Sequence, residues 1–576
     1  MQNSLVPTFS PLPSTAPPTR AAAFAAAAGG VFDLLVVGGG ITGAGVARDA
    51  AARGLRVVLC ERDDFAAGTS SRSSRLVHGG VRYLEHGHLA LVFEASRERR
   101  TLLGTAPHLV RPLAFTWPVY RGARVPRWKL AAGLGLYDAL SLWRNVGRHR
   151  PLGAGGVLAR EPALRTEALV GGATYWDAAT DDSRLTLATA LAAEAAGALL
   201  LTHAEVCGLA FRPDGDGARV RAAVRDTLGS AALGGPDGGA CTEIRARAVV
   251  NCAGPWADRV RRLTDPGASV AVLGAKGVHV LVPAARVGNR GALTLVAPRD
   301  GRVMFVLPAG GTAAAQFTLV GTTETPAERG PDEVRATAGD VAYLLDAVNH
   351  HFPAARLTSD DVVSAWAGVR PLAAAARGSG GTSTGAASRE HAVEVDPRGL
   401  VTVSGGKLTT YRRMAAEVVD AVAGALLGGR PAPADTDRRP LPGGDVADME
   451  AEEARAAAAA GDAAVGRRLA HAHGSAWPHV WALAGEEPAL GARVVPGLPY
   501  IGAEFVHAAR HEHARTLADL LVRRTPMAFE AGDAGRAAAR RVAALVAPAL
   551  GWDAAECARQ LAAYDREAAR LFEVGA

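Results

Sequence analysis

The sequence has few cysteines and no paired cysteine motif. Its five cysteines lie apart along 576 residues, without a CxxC spacing: Cys60, Cys207, Cys241, Cys252 and Cys557. Neither a zinc site nor a disulfide framework is therefore indicated, and a reducing compartment fits best. We expect these cysteines to act as small apolar residues in the interior.

Long apolar runs are also missing. No uninterrupted run approaches the roughly 18–20 residues that a membrane-spanning helix needs. Residues 1–30 are rich in Pro, Ser, Thr and Ala, and their first basic residue is Arg20, so the charged start of a secretory signal is absent. We expect residues 1–30 to form a disordered tail. We also expect a cytoplasmic protein that, if it meets a membrane, lies on its surface.

A strong charge of either sign is absent. Lys and Arg total 63 against 57 Asp and Glu, which gives a formal net charge of +6 and a pI near 9.3. This balance indicates a mild preference for anionic partners and leaves phosphorylated substrates, acidic lipid and nucleic acid open. Apolar residues make up 49% of the chain, enough for a sizeable core and more than one domain.

The order of strand-like and helical patterns predicts an α/β protein with an antiparallel-rich insertion. Residues 31–427 alternate between the two patterns. Residues 428–445 concentrate Pro, Gly and charge and are typical of a linker, and residues 446–576 are Ala-rich with helical spacing. Strands are predicted at Ala246–Asn251, Val278–Val282, Arg302–Leu307, Phe317–Gly321 and Leu400–Ser404, and helices at Leu185–Ala196 and Gly339–His350.

A strand, a glycine turn, a helix and a second strand follow one another within Phe32–Glu61. Gly38, Gly40 and Gly43 form GxGxxG at the turn, where missing side chains permit a tight turn and close approach to a pyrophosphate. The helix N-terminus then directs its N–H groups and positive dipole end at the phosphates. Glu61 ends the second strand, where it can accept hydrogen bonds from a ribose. The unit predicts dinucleotide binding without deciding between FAD and NAD.

A hydroxyl-rich segment after Glu61 favours FAD over NAD. It contains Thr69, Ser70 and Ser71 and leads to His78, which two glycines follow. A flavin is buried along its whole length and needs hydrogen-bond donors well beyond the first turn. A Ser-rich helix cap followed by an ordinary loop is the alternative interpretation.

Two other clusters have weaker functional interpretations. Glu504, His507 and His511 are spaced three and four residues apart, so they share a helix face and could in principle bind a metal. Such a trio is usually a polar helix face, and we expect no metal there. Residues 121–150 carry seven basic residues against one acid, interleaved with aromatic and aliphatic residues. This segment suits either a membrane surface or a core-packed helix with a solvated basic face. Nucleic acid is not expected, because no known binding motif is present.

The stretch Asp33–Gly87 resembles the FAD-dependent glycerol-3-phosphate dehydrogenase family. The resemblance covers about residues 31–427 and continues more weakly at Pro499–Arg524. It implies a Rossmann-like FAD-binding domain, an inserted antiparallel-sheet substrate domain and an all-helical C-terminal domain. It also implies oxidation of sn-glycerol 3-phosphate to dihydroxyacetone phosphate, with electrons passing to a quinone. Later matching segments are Asn251–Trp256, Lys276–His279, Gly368–Leu372 and Gly405–Arg412.

The resemblance assigns cofactor contacts to residues spread over the N-terminal 409 positions. They are Gly38, Gly39, Gly40, Thr42, Gly43, Glu61, Thr69, Ser70, Ser71, His78, Gly79, Gly80, Val206, Ala253, Gly254, Gly406, Lys407, Leu408 and Thr409.

The reaction needs a cationic clamp for the substrate phosphate and a base for the hydroxyl proton. The resemblance assigns substrate binding to Arg82, Tyr83, Arg389 and Lys407. His279 is the expected base, because imidazole takes a proton readily near neutral pH. Arg370, the other expected catalytic residue, is a candidate for the phosphate clamp and could instead stabilise the developing alkoxide.

Other functions stay open at this point. An oxidase of the same fold and substrate would return its electrons to oxygen and produce peroxide. A flavin-binding protein without turnover and an amino-acid oxidase are further alternatives, although several cations suit a phosphate better than a single carboxylate. A peripheral location at the inner face of the plasma membrane would suit a quinone acceptor, and a homodimer is left open.

Overall fold

The strands of the computed structural model belong to two sheets. The structure describes residues 19–142, 145–212, 215, 217–229, 241–310, 316–327, 330–374, 391–429 and 432–575. The strands are β1 (Val31–Val37), β2 (Val57–Cys60), β3 (Leu76–Val77), β4 (Val110–Tyr120), β5 (Arg150–Leu152), β6 (Leu169–Thr180), β7 (Leu199–Leu201), β8 (Ala204–Phe211), β9 (Val220–Asp226), β10 (Thr242–Asn251), β11 (Val272–Pro283), β12 (Ala292–Val296), β13 (Val303–Ala309), β14 (Phe317–Gly321), β15 (Thr325–Pro326), β16 (Ser364–Ala373), β17 (Ala392–Asp396) and β18 (Leu400–Ser404).

Helices cover the first sheet and dominate the C-terminal part. They are α1 (Arg20–Ala28), α2 (Ile41–Ala52), α3 (Leu89–Thr105), α4 (Arg127–Leu140), α5 (Ala154–Arg160), α6 (Asp182–Ala195), α7 (Ala257–Arg262), α8 (Ala284–Val287), α9 (Ala338–His351), α10 (Tyr411–Val422), α11 (Met449–Ala460), α12 (Ala463–His473), α13 (Trp477–Glu486), α14 (Gly502–His511), α15 (Met527–Glu530), α16 (Arg536–Leu550) and α17 (Ala554–Phe572).

The first sheet is the nucleotide-binding sheet that the opening motif predicts. Its strands follow the order β17, β18, β10, β1, β2, β7, and the pairs from β18 to β7 are parallel. The β8–β9 hairpin extends it through β10. Helices α2, α6 and α10 pack together on one face, so the central strands are buried on both sides and consist of continuous apolar runs. The α/β fold class is confirmed.

Helix α1 covers part of the other face of this sheet. Ala23, Phe24 and Ala27 are buried against β7 and β10. Arg20 anchors the helix through its ion pair with Asp226. The expected disordered tail is therefore wrong for residues 20–28, because the alanine stretch forms a helix with one large apolar side chain to bury. Residues 1–18 lie outside the described residues.

The second sheet is the antiparallel insertion. It runs in the order β15, β11, β14, β13, β12, β4, β6, β3, with β16 paired to β11 and β5 paired to β6. Its pairings are antiparallel except between β4 and β12. Its strands come from two segments of the chain, one between β2 and β7 and one between β10 and β17. The expected antiparallel substrate domain is thus confirmed.

The C-terminal helices α11–α17 form the helical domain that the sequence predicts. Buried ion pairs join it to the first sheet region: Arg524 to Asp64 at 2.6 Å, and Arg184 to Glu512 at 2.8 Å. Described residues 432–445 contain neither helix nor strand, yet Leu441 is buried and its N–H donates to the carbonyl of Thr105. This segment, expected as a linker, packs against the body of the protein. Among the described helices, none is long and apolar enough to cross a bilayer.

Candidate functional site

A cavity of about 510 Å³ lies between the carboxyl ends of β1 and β10 and the second sheet. Ligands of α/β proteins bind at such strand ends, and the volume is within the range of ligand-binding sites. Both sheets and the turns before α2 and α10 contribute side chains and backbone to it. It is the candidate functional site.

The glycine turn after β1 forms one wall of the cavity. Gly38 has φ +106°, and a Cβ there would lie 2.7 Å from the carbonyl oxygen of Cys252. A Cβ on Gly43 would lie 1.9 Å from the carbonyl oxygen of Gly38. Helix α2 therefore packs directly on the turn, and its N-terminus faces the cavity. The Ser70 hydroxyl accepts a hydrogen bond from the N–H of Ile41 at 3.0 Å, which fixes that N-terminus.

Glu61 holds the turn from the end of β2. Its carboxylate accepts hydrogen bonds from the N–H of Gly39 at 2.5 Å and of Asp63 at 2.8 Å. Burial raises the pKa of Glu61 to about 7, and the charge of Asp63 adds to this rise, while the two N–H donors oppose it. Glu61 lines the cavity, where its oxygens can also accept from the hydroxyls of a ribose.

The hydroxyl-rich segment connects distant parts of the cavity wall. The Thr69 hydroxyl donates to the carbonyl of Val369 at 2.6 Å. The Thr409 hydroxyl accepts a hydrogen bond from the N–H of His78 at 3.0 Å and lies 3.2 Å from the carbonyl oxygen of His78. These bonds hold the segment against β16 and against the turn before α10, although the partners lie 300 and 331 positions apart in sequence.

The second glycine turn precedes α10. Gly405 and Gly406 have φ +75° and +91°, and a Cβ on Gly406 would lie 2.2 Å from Cε of Met414. After these glycines, Leu408–Thr410 form a 3₁₀ turn, and α10 begins at Tyr411. Lys407, Leu408 and Thr409 nevertheless line the cavity with their turn.

His279 lies on β11 at the second-sheet side of the cavity. Its ring stacks on Trp366 with centroids 5.7 Å apart, and its Nε2 lies 2.9 Å from the Ser74 hydroxyl. Its Nδ1 is buried and has no hydrogen-bond partner within the described part of the chain. Burial and, to a smaller extent, the charges of Arg370 and Arg75 together lower the pKa of His279 to about 3. The imidazole is therefore neutral at pH 7 and able to accept a proton.

Cations and an aromatic ring border the same space. Arg370 on β16 donates to the Thr322 hydroxyl at 3.1 Å and to the carbonyl of Thr323 at 3.3 Å. Lys407 Nζ lies 3.8 Å from the centroid of the Tyr83 ring. Two positive groups and a phenol thus line the same cavity as His279, which suits a small phosphorylated substrate.

The cavity brings together most of the residues expected from the sequence. Gly39, Gly43, Ser71, Gly79 and Gly80 do not line it and instead support the walls: the N–H of Gly79, for example, donates to Asp177. The Arg82 side chain and Arg389 lie outside the described residues. Expected residues that line the cavity are Gly38, Gly40, Thr42, Glu61, Thr69, Ser70, His78, Tyr83, Val206, Ala253, Gly254, His279, Arg370, Gly406, Lys407, Leu408 and Thr409.

Some lining residues were not expected from the sequence. Phe305 and Thr322 reach the cavity from the region of β13 and β14, which carries no recognisable motif. Trp256 also lines it and donates to Asp332 at 2.9 Å. Trp256 is the last residue of the family-like segment Asn251–Trp256. Its place in that segment was the one sequence signal that could have identified it as a lining residue.

In the helical domain, Glu504, His507 and His511 do not form one cluster of ligands but have separate contacts. Glu504 pairs with Arg468 at 2.8 Å, while the rings of His507 and His511 lie 5.0 Å apart. His473, His507 and Glu512 instead bring one ligand atom each within 4.8 Å of one another. The guanidinium of Arg184 already pairs with Glu512, which disfavours an added cation there.

Comparisons with known proteins agree with this geometry along most of the chain. A family model described as FAD dependent oxidoreductase matches residues 33–412, and one described as the C-terminal domain of alpha-glycerophosphate oxidase matches residues 434–557. Glycerol-3-phosphate dehydrogenase 2 of Mycobacterium tuberculosis is 38% identical over 96% of this chain and 91% of its own length. The chain belongs to the FAD-dependent glycerol-3-phosphate dehydrogenase family.

Further relatives of this family match over similar lengths. The glycerol-3-phosphate dehydrogenase of Synechocystis is 36% identical over 92% of this chain and 95% of its own length. The crystal structure of the glycerol-3-phosphate dehydrogenase from Bacillus halodurans, complexed with FAD, superposes with a TM-score of 0.76 at 31% identity. It covers 96% of this chain and 97% of that one. The fold of this family member is therefore matched from the first strand to the C-terminal helices.

FAD is the cofactor of this dehydrogenase family member, and the cavity fits such a group. The turns at Gly38 and Gly406 pack closely against Cys252 and Met414 only because neither glycine carries a Cβ. The N-terminus of α2 suits a pyrophosphate, and Glu61 suits a ribose. The turn before α10 also lines the cavity, where its backbone N–H groups can meet a flavin ring.

Proposed function

We propose that this protein oxidises sn-glycerol 3-phosphate to dihydroxyacetone phosphate and passes the electrons to a quinone. The observation that carries the proposal is the convergence of His279, Arg370 and Lys407 in the cavity that the glycine turn opens. The names of the relatives, which match over almost the whole chain, support the same substrate. FAD, when bound, supplies the hydride acceptor for carbon 2 of the alcohol.

The phosphate dianion of the substrate is bound by the cationic side chains. Lys407 provides a point charge above Tyr83, and Arg370 provides a planar guanidinium with paired N–H donors. Arg82 and Arg389 are proposed to complete the clamp. A fixed phosphate positions carbon 2 and its hydroxyl beside His279, which lowers the entropic part of the barrier.

His279 accepts the hydroxyl proton. Its neutral ring presents one nitrogen to the Ser74 hydroxyl, and the stacking on Trp366 fixes the plane of the imidazole. Arg370 and Arg75 oppose its protonation in the free protein. The dianionic substrate offsets those two charges and so raises the proton affinity of His279 when the substrate is in place.

We propose that the protein meets its quinone at the inner face of the plasma membrane. Helix α4 buries Leu130, Leu134 and Tyr137, while Trp128 is 74% exposed beside the exposed Lys129. A surface that combines exposed apolar and basic side chains on an amphipathic helix suits an anionic lipid surface.

A vesicle-binding experiment tests the membrane surface. We expect the protein to co-sediment with vesicles that contain phosphatidylglycerol, and Trp128→Glu to weaken this binding. Val270→Glu is the matched control, because Val270 is exposed on a different part of the protein. Equal binding of the Trp128 variant and the control variant would contradict the assignment.

Oxygen is the alternative acceptor, and the description of the C-terminal family model names an oxidase. Anaerobic mixing of the holoenzyme with sn-glycerol 3-phosphate should bleach the yellow flavin absorbance. Addition of a soluble quinone should then restore the colour faster than air-saturated buffer does. Flavin that stays yellow contradicts the substrate, and faster recovery with oxygen together with stoichiometric peroxide contradicts the quinone.

A further inference from the structure

Two cysteines far apart in sequence meet at the edge of the first sheet. Cys207 on β8 and Cys241, directly before β10, are separated by 34 positions, and their sulfur atoms lie 3.2 Å apart. No CxxC spacing marks this pair, so the sequence gives no sign of it. A modest closing movement brings the two sulfur atoms to bonding distance.

The strands bring the pair together through a bulge. Val206 and Gly208 pair with consecutive residues of β9, so Cys207 is the extra residue between them. Its Sγ lies 3.3 Å from the carbonyl oxygen of Ala223. Strand β9 also pairs with β10, whose first paired residue follows Cys241 directly. A bulge leaves the backbone of one residue outside the ladder and re-aims its side chain, which here points to the other thiol.

The two thiols differ in their surroundings. Cys241 is exposed, whereas Cys207 is partly buried and lines the FAD cavity next to Val206. Burial raises the pKa of the Cys207 thiol to about 11, and the contact with Cys241 contributes to this rise. Cys241 is therefore the thiol that a reagent from solvent contacts first. Cys207 is placed to react with the oxidised sulfur of Cys241.

We propose that Cys207 and Cys241 are a peroxide-sensitive modification site that closes to a reversible disulfide. The Cys241 thiolate attacks one oxygen of hydrogen peroxide, the O–O bond breaks, and hydroxide leaves as water after taking a proton. Cys241 is thereby oxidised to a sulfenic acid. The sulfur of Cys207 then attacks that of Cys241, the S–S bond forms, and the S–O bond breaks with release of the second water. In total, two thiols and one peroxide give one disulfide and two waters.

This disulfide would join β8 to β10 beside the cavity. The far end of β10 leads to Cys252, Ala253 and Gly254, which also line it. In a reducing compartment a disulfide is usually transient, so this pair would report an oxidant rather than hold the fold.

The test uses the holoenzyme, reduced and then treated with hydrogen peroxide. We expect loss of two of the five thiols, a mass decrease of two hydrogen atoms, and a peptide that links Cys207 to Cys241 under non-reducing conditions. Dithiothreitol should restore both thiols. A disulfide between two chains, or Cys241 oxidised to a sulfinic acid while Cys207 stays a thiol, would overturn the proposal.

Three variants assign the two roles. Cys241→Ser should keep all of its remaining thiols, while Cys207→Ser should accumulate a sulfenic acid at Cys241 that a dione reagent traps. Cys557→Ser is the matched control and should form the disulfide as the unaltered protein does, because Cys557 lies on α17. Loss of the disulfide in that control would overturn the assignment. The peptide map of the unaltered protein decides the proposal even if a variant does not fold.

Discussion

Replacing Gly43 with alanine tests the cofactor turn at its tightest contact. The added Cβ would lie 1.9 Å from the carbonyl oxygen of Gly38, whereas ordinary contacts begin at 3.4 Å. Helix α2 and the turn must therefore separate by about 1.5 Å, the difference between these two distances. Since the partner atom belongs to the backbone and not to a flexible side chain, the turn itself has to move.

The expected effect is a large loss of FAD affinity. Overpacking of a filled interior costs about 1–3 kcal/mol. If the turn pays this cost when it closes on the cofactor, the Kd for FAD rises about 5-fold to about 150-fold. Titration of the apoprotein with FAD, followed by flavin fluorescence, measures the Kd. The ratio of flavin to protein absorbance after gel filtration gives an independent check.

Gly104→Ala is the matched control for this substitution. Gly104 lies in helix α3, and a Cβ there would meet nothing within 4 Å. Alanine also favours a helix by about 1 kcal/mol over glycine, so the control should fold at least as well and keep its FAD. The reasoning about the turn would be refuted if the Gly43 and Gly104 variants bound FAD with the same Kd.

Three further substitutions address the ribose, the proton and the phosphate. Glu61→Gln should remove the pH dependence of FAD binding. Burial holds the pKa of Glu61 near 7 in the free protein, and ribose hydroxyls favour the ionised carboxylate. FAD affinity should therefore rise with pH through about 7 in the unaltered protein and not in the variant. His279→Asn should slow flavin reduction about 10²- to 10⁴-fold while FAD stays bound, as measured by anaerobic stopped-flow. Lys407→Ala should raise KM and lower kcat/KM about 10-fold to about 150-fold, from about 1.5–3 kcal/mol for a charged contact, with FAD retained.

Each of these predictions has its own contrary result. An unchanged pH profile of FAD binding in the Glu61 variant would remove the carboxylate from the ribose contact. Flavin reduction at the normal rate in the His279 variant would assign the proton to another group. For Lys407, Arg398→Ala is the surface control, since Arg398 is exposed and pairs with Asp396; an equal KM in both variants would exclude Lys407 from the phosphate clamp.

Local patterns predicted the nucleotide-binding unit closely. Phe32–Glu61 shows strand, glycine turn, helix and strand because each part is set by neighbours in sequence: apolar runs for β1 and β2, and glycines where a Cβ would collide. The strands Phe317–Gly321 and Leu400–Ser404 were predicted at their exact bounds for the same reason.

Features that depend on distant partners could not be predicted in this way. Helix α1 exists because Phe24 finds a surface on β7 and β10, which the composition of residues 1–30 does not reveal. Thr322 reaches the cavity through the pairing of β14 with β11, and its own neighbours in sequence carry no motif. The contact between Cys207 and Cys241 likewise follows from a bulge in the β8–β9 pairing.

We propose that carbon 2 of sn-glycerol 3-phosphate gives its hydride to the flavin in this cavity. Anaerobic stopped-flow with the unlabelled substrate and with substrate deuterated at carbon 2 tests it in a single turnover. We predict that both bleach the flavin completely and that the deuterated substrate does so severalfold more slowly. Flavin that keeps its colour with either substrate, or that loses it at the same rate with both, would contradict the claim.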